Sequence, residues 1–169
     1  MTRWIFWMFV LCGLEGALSY WVFPFAGSNQ WLIVPHLILI RLIVWTYEGH
    51  GQRVLWFALC TGWLQDLTIG TPLLGEHAFA YALTVIVIGW YSAWQPNPDT
   101  PRWLSGFSIG LLCCDLTLYV LNRMFSQTDV SFFWIIGQHL LPNLILHVMI
   151  LFVGIGIRNV WRANRINGI

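Results

Sequence analysis

Six apolar runs separated by short polar breaks take up almost the whole sequence, and they constrain the fold more than any other feature. They are Trp4–Phe23, Trp31–Tyr47, Val54–Ile69, His77–Trp94, Trp103–Leu121 and Phe132–Ile157. A helix that crosses a bilayer needs roughly 20 mainly apolar residues, because each adds about 1.5 Å across a hydrocarbon core about 30 Å thick. The runs approach that length. The sequence therefore predicts an all-α polytopic membrane protein, one integral membrane domain over residues 1–169 with six transmembrane helices. Only 9% of the residues are charged, against roughly 25% in a soluble domain. So few charges cannot hydrate a globule of this size, and membrane lipid is the expected surroundings. The chain left between the runs is too short for a soluble catalytic domain or a nucleic-acid module.

The charges give the runs a direction. All eight basic residues are Arg. With the N-terminus in the cytoplasm, Arg3, Arg53, Arg102, Arg158, Arg162 and Arg165 fall on the cytoplasmic side, Arg123 falls outside and Arg41 lies within the second run. That asymmetry follows the positive-inside rule and predicts a cytoplasmic N-terminus and C-terminus. Tryptophans cluster near the run ends (Trp45, Trp90, Trp94 and Trp134 among them), where aromatic belts form. Ala17-Leu-Ser19 resembles a signal-peptidase site, but Glu15 interrupts the run before it, and the segment is expected to stay on the chain. Cys12, Cys60, Cys113 and Cys114 lie within the runs without metal-ligand spacing, so they are expected to be small packing residues.

Four ionisable residues stand inside the apolar runs: Glu15, Arg41, Asp66 and Asp115. A charged side chain at mid-bilayer costs roughly 2.5–3.5 kcal/mol on insertion scales, so such groups face the bundle interior and have partners. Asp66 and Asp115 approach the outer ends of their runs, whereas Glu15 and Arg41 lie at other depths. One tight cluster of all four is not expected. Their alternatives are a proton or ion relay and structural acids that lock helix packing. In the sixth run His139, Asn143 and His147 recur every four residues and share a helix face. His139 and His147 are about 12 Å apart along an unbroken helix, too far to share one metal ion, so a polar packing seam is expected. Pro142 should bend that helix and free the carbonyl of Gln138.

Small residues suggest where helices approach closely. Gly106-Phe-Ser-Ile-Gly110 is a GxxxG pattern, and Gly13 with Ala17 makes a second small pair. Such pairs serve contacts within a bundle or with another protein, and the Gly106–Gly110 face is the candidate for a partner. Two short echoes also occur: Asp66-Leu-Thr68 with Asp115-Leu-Thr117, and Pro35-His-Leu-Ile-Leu39 with Pro142-Asn-Leu-Ile-Leu146. The sequence holds no GxSxG, HExxH or phosphate-binding loop, so no enzyme, cofactor or metal is expected.

The densest polar motif is Gly62-Trp-Leu-Gln-Asp66, then Gly70-Thr-Pro72-Leu-Leu-Gly75, then His77-Ala-Phe79 opening the next run. Asp66 is expected to end its helix and accept hydrogen bonds from the loop's N–H groups or from Thr68. The motif resembles the rod-shape-determining protein MreD family, with its Gly-x-x-x-Asp at a span end, Gly-Ser/Thr turn and Leu-Gly. The likeness extends to Pro35-His-Leu37, Leu112-Cys-Cys-Asp115 and Leu141-Pro-Asn143. Two positions depart from the family: His36 stands where it usually has Asp or Asn, and the turn at Thr71-Pro-Leu-Leu74 is one residue longer. The resemblance implies a non-enzymatic subunit of the elongasome in the bacterial inner membrane, supporting side-wall peptidoglycan synthesis and rod shape. Its implied partners are the bitopic MreC and, directly or indirectly, MreB, RodA and a penicillin-binding transpeptidase. It also implies a fold like the substrate-binding subunits of ECF transporters. The alternative function is therefore a small-molecule-binding transport subunit.

Overall fold

The structure is a computed structural model that describes residues 9–17, 36–94 and 100–166. Among these residues the chain is helical without a strand. Helix α1 covers residues 9–17. It is followed by α2 (Leu37–Tyr47), α3 (Gly51–Ile69), α4 (Glu76–Trp94) and α5 (Thr100–Met124). A single turn, α6 (Phe132–Ile135), passes through a π-helical stretch, Ile136–Leu140, into α7 (Leu141–Ile166). Apart from His36, which precedes α2, every predicted run coincides with helix where it is described, while parts of the first and second runs lie outside the described residues.

Among the described residues, three stretches are long and apolar enough to cross a bilayer: Glu76–Trp94, Trp103–Met124 and Phe132–Val153. They mark the chain as a membrane protein. Helix α2 is apolar but short. Large apolar side chains such as Trp56, Trp63, Trp90 and Phe133 point outward from the bundle, as lipid or another protein requires.

The π stretch sits immediately before Pro142. Proline has no N–H, and its ring crowds the carbonyl four residues earlier. A wider turn relieves that conflict while the helix continues. At the place where a bend is expected, the helix widens into a π turn and continues.

Helix α4 is the centre of the bundle, packed against α3, α5 and α2, with α7 reaching α5. Leu39, Ile43, Val54, Tyr81, Ile88 and Phe107 form its buried core. The α5 face at Gly106 and Gly110 lies within this core. A Cβ on Gly106 would press on the Tyr47 hydroxyl, and one on Gly110 would come within 2.8 Å of Ile43 Cδ1 and 3.2 Å of Ile88. This corrects the expectation of a partner-binding face, because α2 and α4 already occupy it. Gly13 and Ala17 instead lie exposed on α1, with no described atom within 4 Å of a Cβ on Gly13. Two smaller expectations also change. Trp45 is buried against Phe57 rather than belted at a surface, with ring centroids 5.2 Å apart, and Cys60 is exposed rather than packed.

Candidate functional site

The α3–α4 junction explains the densest motif of the sequence. Gly62 and Asp66 are one helical turn apart and so share a face of α3. At Gly62 the start of α4 comes close enough for backbone contact: a Cβ there would strike Cα and N of Ala78 and lie 2.6 Å from the carbonyl carbon of His77. That approach carries Asp66 to the first turn of α4. Its Oδ2 accepts the Gly75 N–H at 2.7 Å, and its Oδ1 accepts the His77 N–H at 3.2 Å. Those N–H groups belong to the helix start, where intrahelical partners are lacking. An acid here also faces the positive end of the α4 dipole. Asp66 is thus a cap supplied by one helix to the next.

The loop between them needs glycine at both ends. Gly70 closes α3 at φ +70°, donating its N–H to Asp66 O at 3.0 Å, and Gly75 turns the chain into α4 at φ +100°. Side chains with a Cβ are strained in that left-handed region. Pro72 lies exposed in between. The hydroxyl of Thr71, not that of Thr68, reaches Asp66, at 3.4 Å; Thr68 bonds back to Gln65 O at 2.9 Å. The remaining partner of Asp66 is an imidazole, with His77 Nδ1 2.7 Å from Oδ1. The carboxylate accepts, so Nδ1 carries the proton.

Gln65, the neighbour of Asp66, serves a second buried cluster. Its Nε2 donates to Glu15 Oε1 at 2.8 Å, and the Ile38 N–H donates to Glu15 Oε2 at 3.3 Å. His36 stands between two acids, with Nδ1 3.5 Å from Glu15 Oε1 and Nε2 3.4 Å from Asp115 Oδ1. Both are ion-pair separations longer than a good hydrogen bond. Glu15 and Asp115 therefore meet around one imidazole, although their places in the sequence suggested different depths. Arg41 stays apart, with its guanidinium 5.2 Å from the Trp45 ring centre.

Helix α7 closes this cluster. The His36 N–H donates to His147 Nε2 at 2.8 Å, which makes Nε2 the unprotonated nitrogen. His147 Nδ1 then donates to Asn143 O at 2.6 Å. The His36 and His147 rings stack with centroids 5.7 Å apart. Asn143 Nδ2 lies 3.4 Å from His139 Nε2 in the π stretch, so the three polar residues of the sixth run remain linked. The two Asp-Leu-Thr echoes do different work, and Pro35 of the first Pro-x-Leu-Ile-Leu echo lies outside the described residues.

A cavity of about 360 Å³ joins the clusters. Glu76, His77, Asp115 and His139 line it along with Asn122 and Tyr119. Glu76 Oε2 accepts from Asn122 Nδ2 at 3.1 Å. Two acids and two imidazoles beside a partly apolar wall suit a cation or a ligand with hydrogen-bond donors. Gln65, Glu76 and Asn122 escaped the sequence reading. Gln65 and Asn122 are uncharged, and Glu76 sits in what reads as the loop before an apolar run. Compared with known proteins, the chain matches no family model, no curated protein and no solved structure.

Proposed function

We propose that this chain is a six-span, MreD-like subunit of the bacterial inner membrane, with both termini cytoplasmic and a helix arrangement like that of ECF substrate-binding subunits. It works without chemistry of its own, holding an MreC-like bitopic protein beside the other membrane components of side-wall peptidoglycan synthesis. One observation carries this reading. The residues behind the resemblance are spread over four helices and the segment before α2, yet they fall into two adjoining units. Gly62, Asp66, Gly70, Gly75 and His77 lock α3 to α4, while His36, Asp115 and Asn143 meet between α2, α5 and α7. Each unit fixes helices relative to one another, as a scaffold needs. The partner's seat lies away from Gly106 and Gly110.

The cavity favours a second reading, the small-molecule-binding subunit of a transporter. Its polar and apolar walls resemble those of ligand pockets, and its volume is within their usual range. Purification in mild detergent from the native membrane separates the two. An MreC-like protein recovered with the chain supports the scaffold. Recovery with an energising ATPase module instead overturns it in favour of transport.

A further inference from the structure

We propose that Asp66, Glu76 and His77 form a binding site for one divalent transition-metal ion, entered from the cavity. One donor atom from each residue lies within 4.8 Å of the others. All three side chains are buried, and Glu76 and His77 line the cavity wall. Such a site needs suitable donors, held ligands and an entry path.

The donors are held without any ion. Backbone N–H groups of Gly75 and His77 fix the Asp66 carboxylate, and Asn122 fixes Glu76 through Oε2. Glu76 Oε1 is left over. Its residue is 95% buried, and His77 Nδ1 lies 3.8 Å from it. Among the described residues Glu76 Oε1 accepts no hydrogen bond, and its residue lines the cavity, so this oxygen is available to an ion there. His77 Nδ1 lies 2.7 Å from Asp66 Oδ1. Neighbouring ligands around a zinc-sized ion with bonds of about 2.1 Å stand roughly 3.0–3.4 Å apart. The two separations at His77 straddle that range, and the Asp66 and Glu76 donors lie within 4.8 Å, so the three ligands must draw together by up to about 1.4 Å to seat the ion.

Binding replaces the proton between His77 Nδ1 and Asp66 and releases it to solvent. The backbone bonds to Asp66 need not break. Two carboxylates offset the ion's charge, and the imidazole nitrogen selects a transition metal over calcium or magnesium. The ion's remaining positions face the cavity, open to water or a ligand. This site stands independently of the scaffold reading.

The test uses tag-free full-length protein in detergent, stripped with a chelator and dialysed against zinc. The expected result is one zinc ion per chain, with affinity at least tenfold lower in Glu76→Gln. Gln keeps an acceptor for Asn122, and an unchanged thermal midpoint without metal confirms that the variant is folded. Zinc should raise the midpoint of the parent protein and not that of the variant. The absence of saturable binding below about 100 µM overturns the proposal, as does equal affinity in Glu76→Gln. Loss of binding in His50→Gln overturns it too, because it would place the ion on the exposed His50–Glu48 pair, whose atoms are 3.9 Å apart.

Discussion

Replacing Gly62 with Ala adds one methyl group at the tightest point between α3 and α4. The new Cβ meets backbone, not a flexible side-chain end: Cα and N of Ala78, and the His77 carbonyl carbon at 2.6 Å. Ordinary contact begins at 3.4 Å, so the helices must part by about 1 Å, a movement neither backbone can absorb by changing rotamer. Overpacking of this kind costs about 1–3 kcal/mol, and the rigid neighbours put Gly62 at the upper end. The same displacement pulls Asp66 away from the N–H groups of Gly75 and His77, one turn further along α3. Each weakened bond to a buried charged acceptor adds about 1 kcal/mol or more. Alanine's better helix propensity returns about 1 kcal/mol. A net loss of about 4 kcal/mol is expected, measured as the thermal or denaturant midpoint of purified protein in detergent. Gly13→Ala is the control, since a Cβ there meets no described atom within 4 Å; it should match or slightly exceed the parent. A Gly62→Ala protein as stable as the Gly13→Ala protein would refute the close approach and the capping geometry that depends on it.

Substitutions at four further positions test the polar units and the core. Asp66→Leu should lose about 3–5 kcal/mol and accumulate poorly in the membrane, because it strands two N–H groups and an imidazole. Asp66→Asn should lose about 1–3 kcal/mol, since one amide oxygen cannot serve both Gly75 and His77; equal damage from Asn and Leu at normal protein levels would point to a proton-carrying role instead. His36→Leu should lose about 3–5 kcal/mol by leaving Glu15 and Asp115 without their shared partner. Most of that penalty should vanish in a Glu15→Gln, Asp115→Asn background, and a double-mutant cycle showing additive losses would contradict the bridge. Gly106→Leu and Gly110→Leu should lower thermal midpoints and membrane levels, and on the proposed scaffold reading the folded fraction should still recover the MreC-like protein. Selective loss of partner from fully stable protein would return that face to the candidate interfaces.

Apolar run length was enough to read the helices, because backbone in lipid has few choices besides helix. It was not enough to read which acids meet. Glu15 and Asp115 are one hundred residues apart in the sequence, and their pairing runs through His36, a lone imidazole outside any helical period. Asp66 was legible as a cap because Gly70 and Gly75 flank its loop, yet the helix it caps is the next one, not its own. Glycine spacing gave close approach at Gly106–Gly110 and no hint of whether the neighbour was internal. The approach to another helix's backbone, at Gly62, carries no GxxxG signal at all. A pattern on one helix says that something small is needed there; only the partner helix says why.

The division of labour between the adjacent residues Gln65 and Asp66 shows what the buried polar groups contribute. Lipid chains and leucine side chains are alike in polarity, so apolar contact alone distinguishes poorly between neighbouring helix registers in a membrane. A rotation of α3 by one residue would move Asp66 away from the Gly75 and His77 N–H groups and carry Gln65 away from Glu15. Both units would fail together. Each failure strands polar groups where water cannot replace the lost partner, at a cost of several kcal/mol per group. Gly62 adds a steric condition to these two, because no other residue type fits where α3 meets Ala78. The position of α3 is thereby fixed three times over within two turns of helix. It is this locking that gives the chain one surface to present, and it accounts for an aspartate placed inside an apolar run.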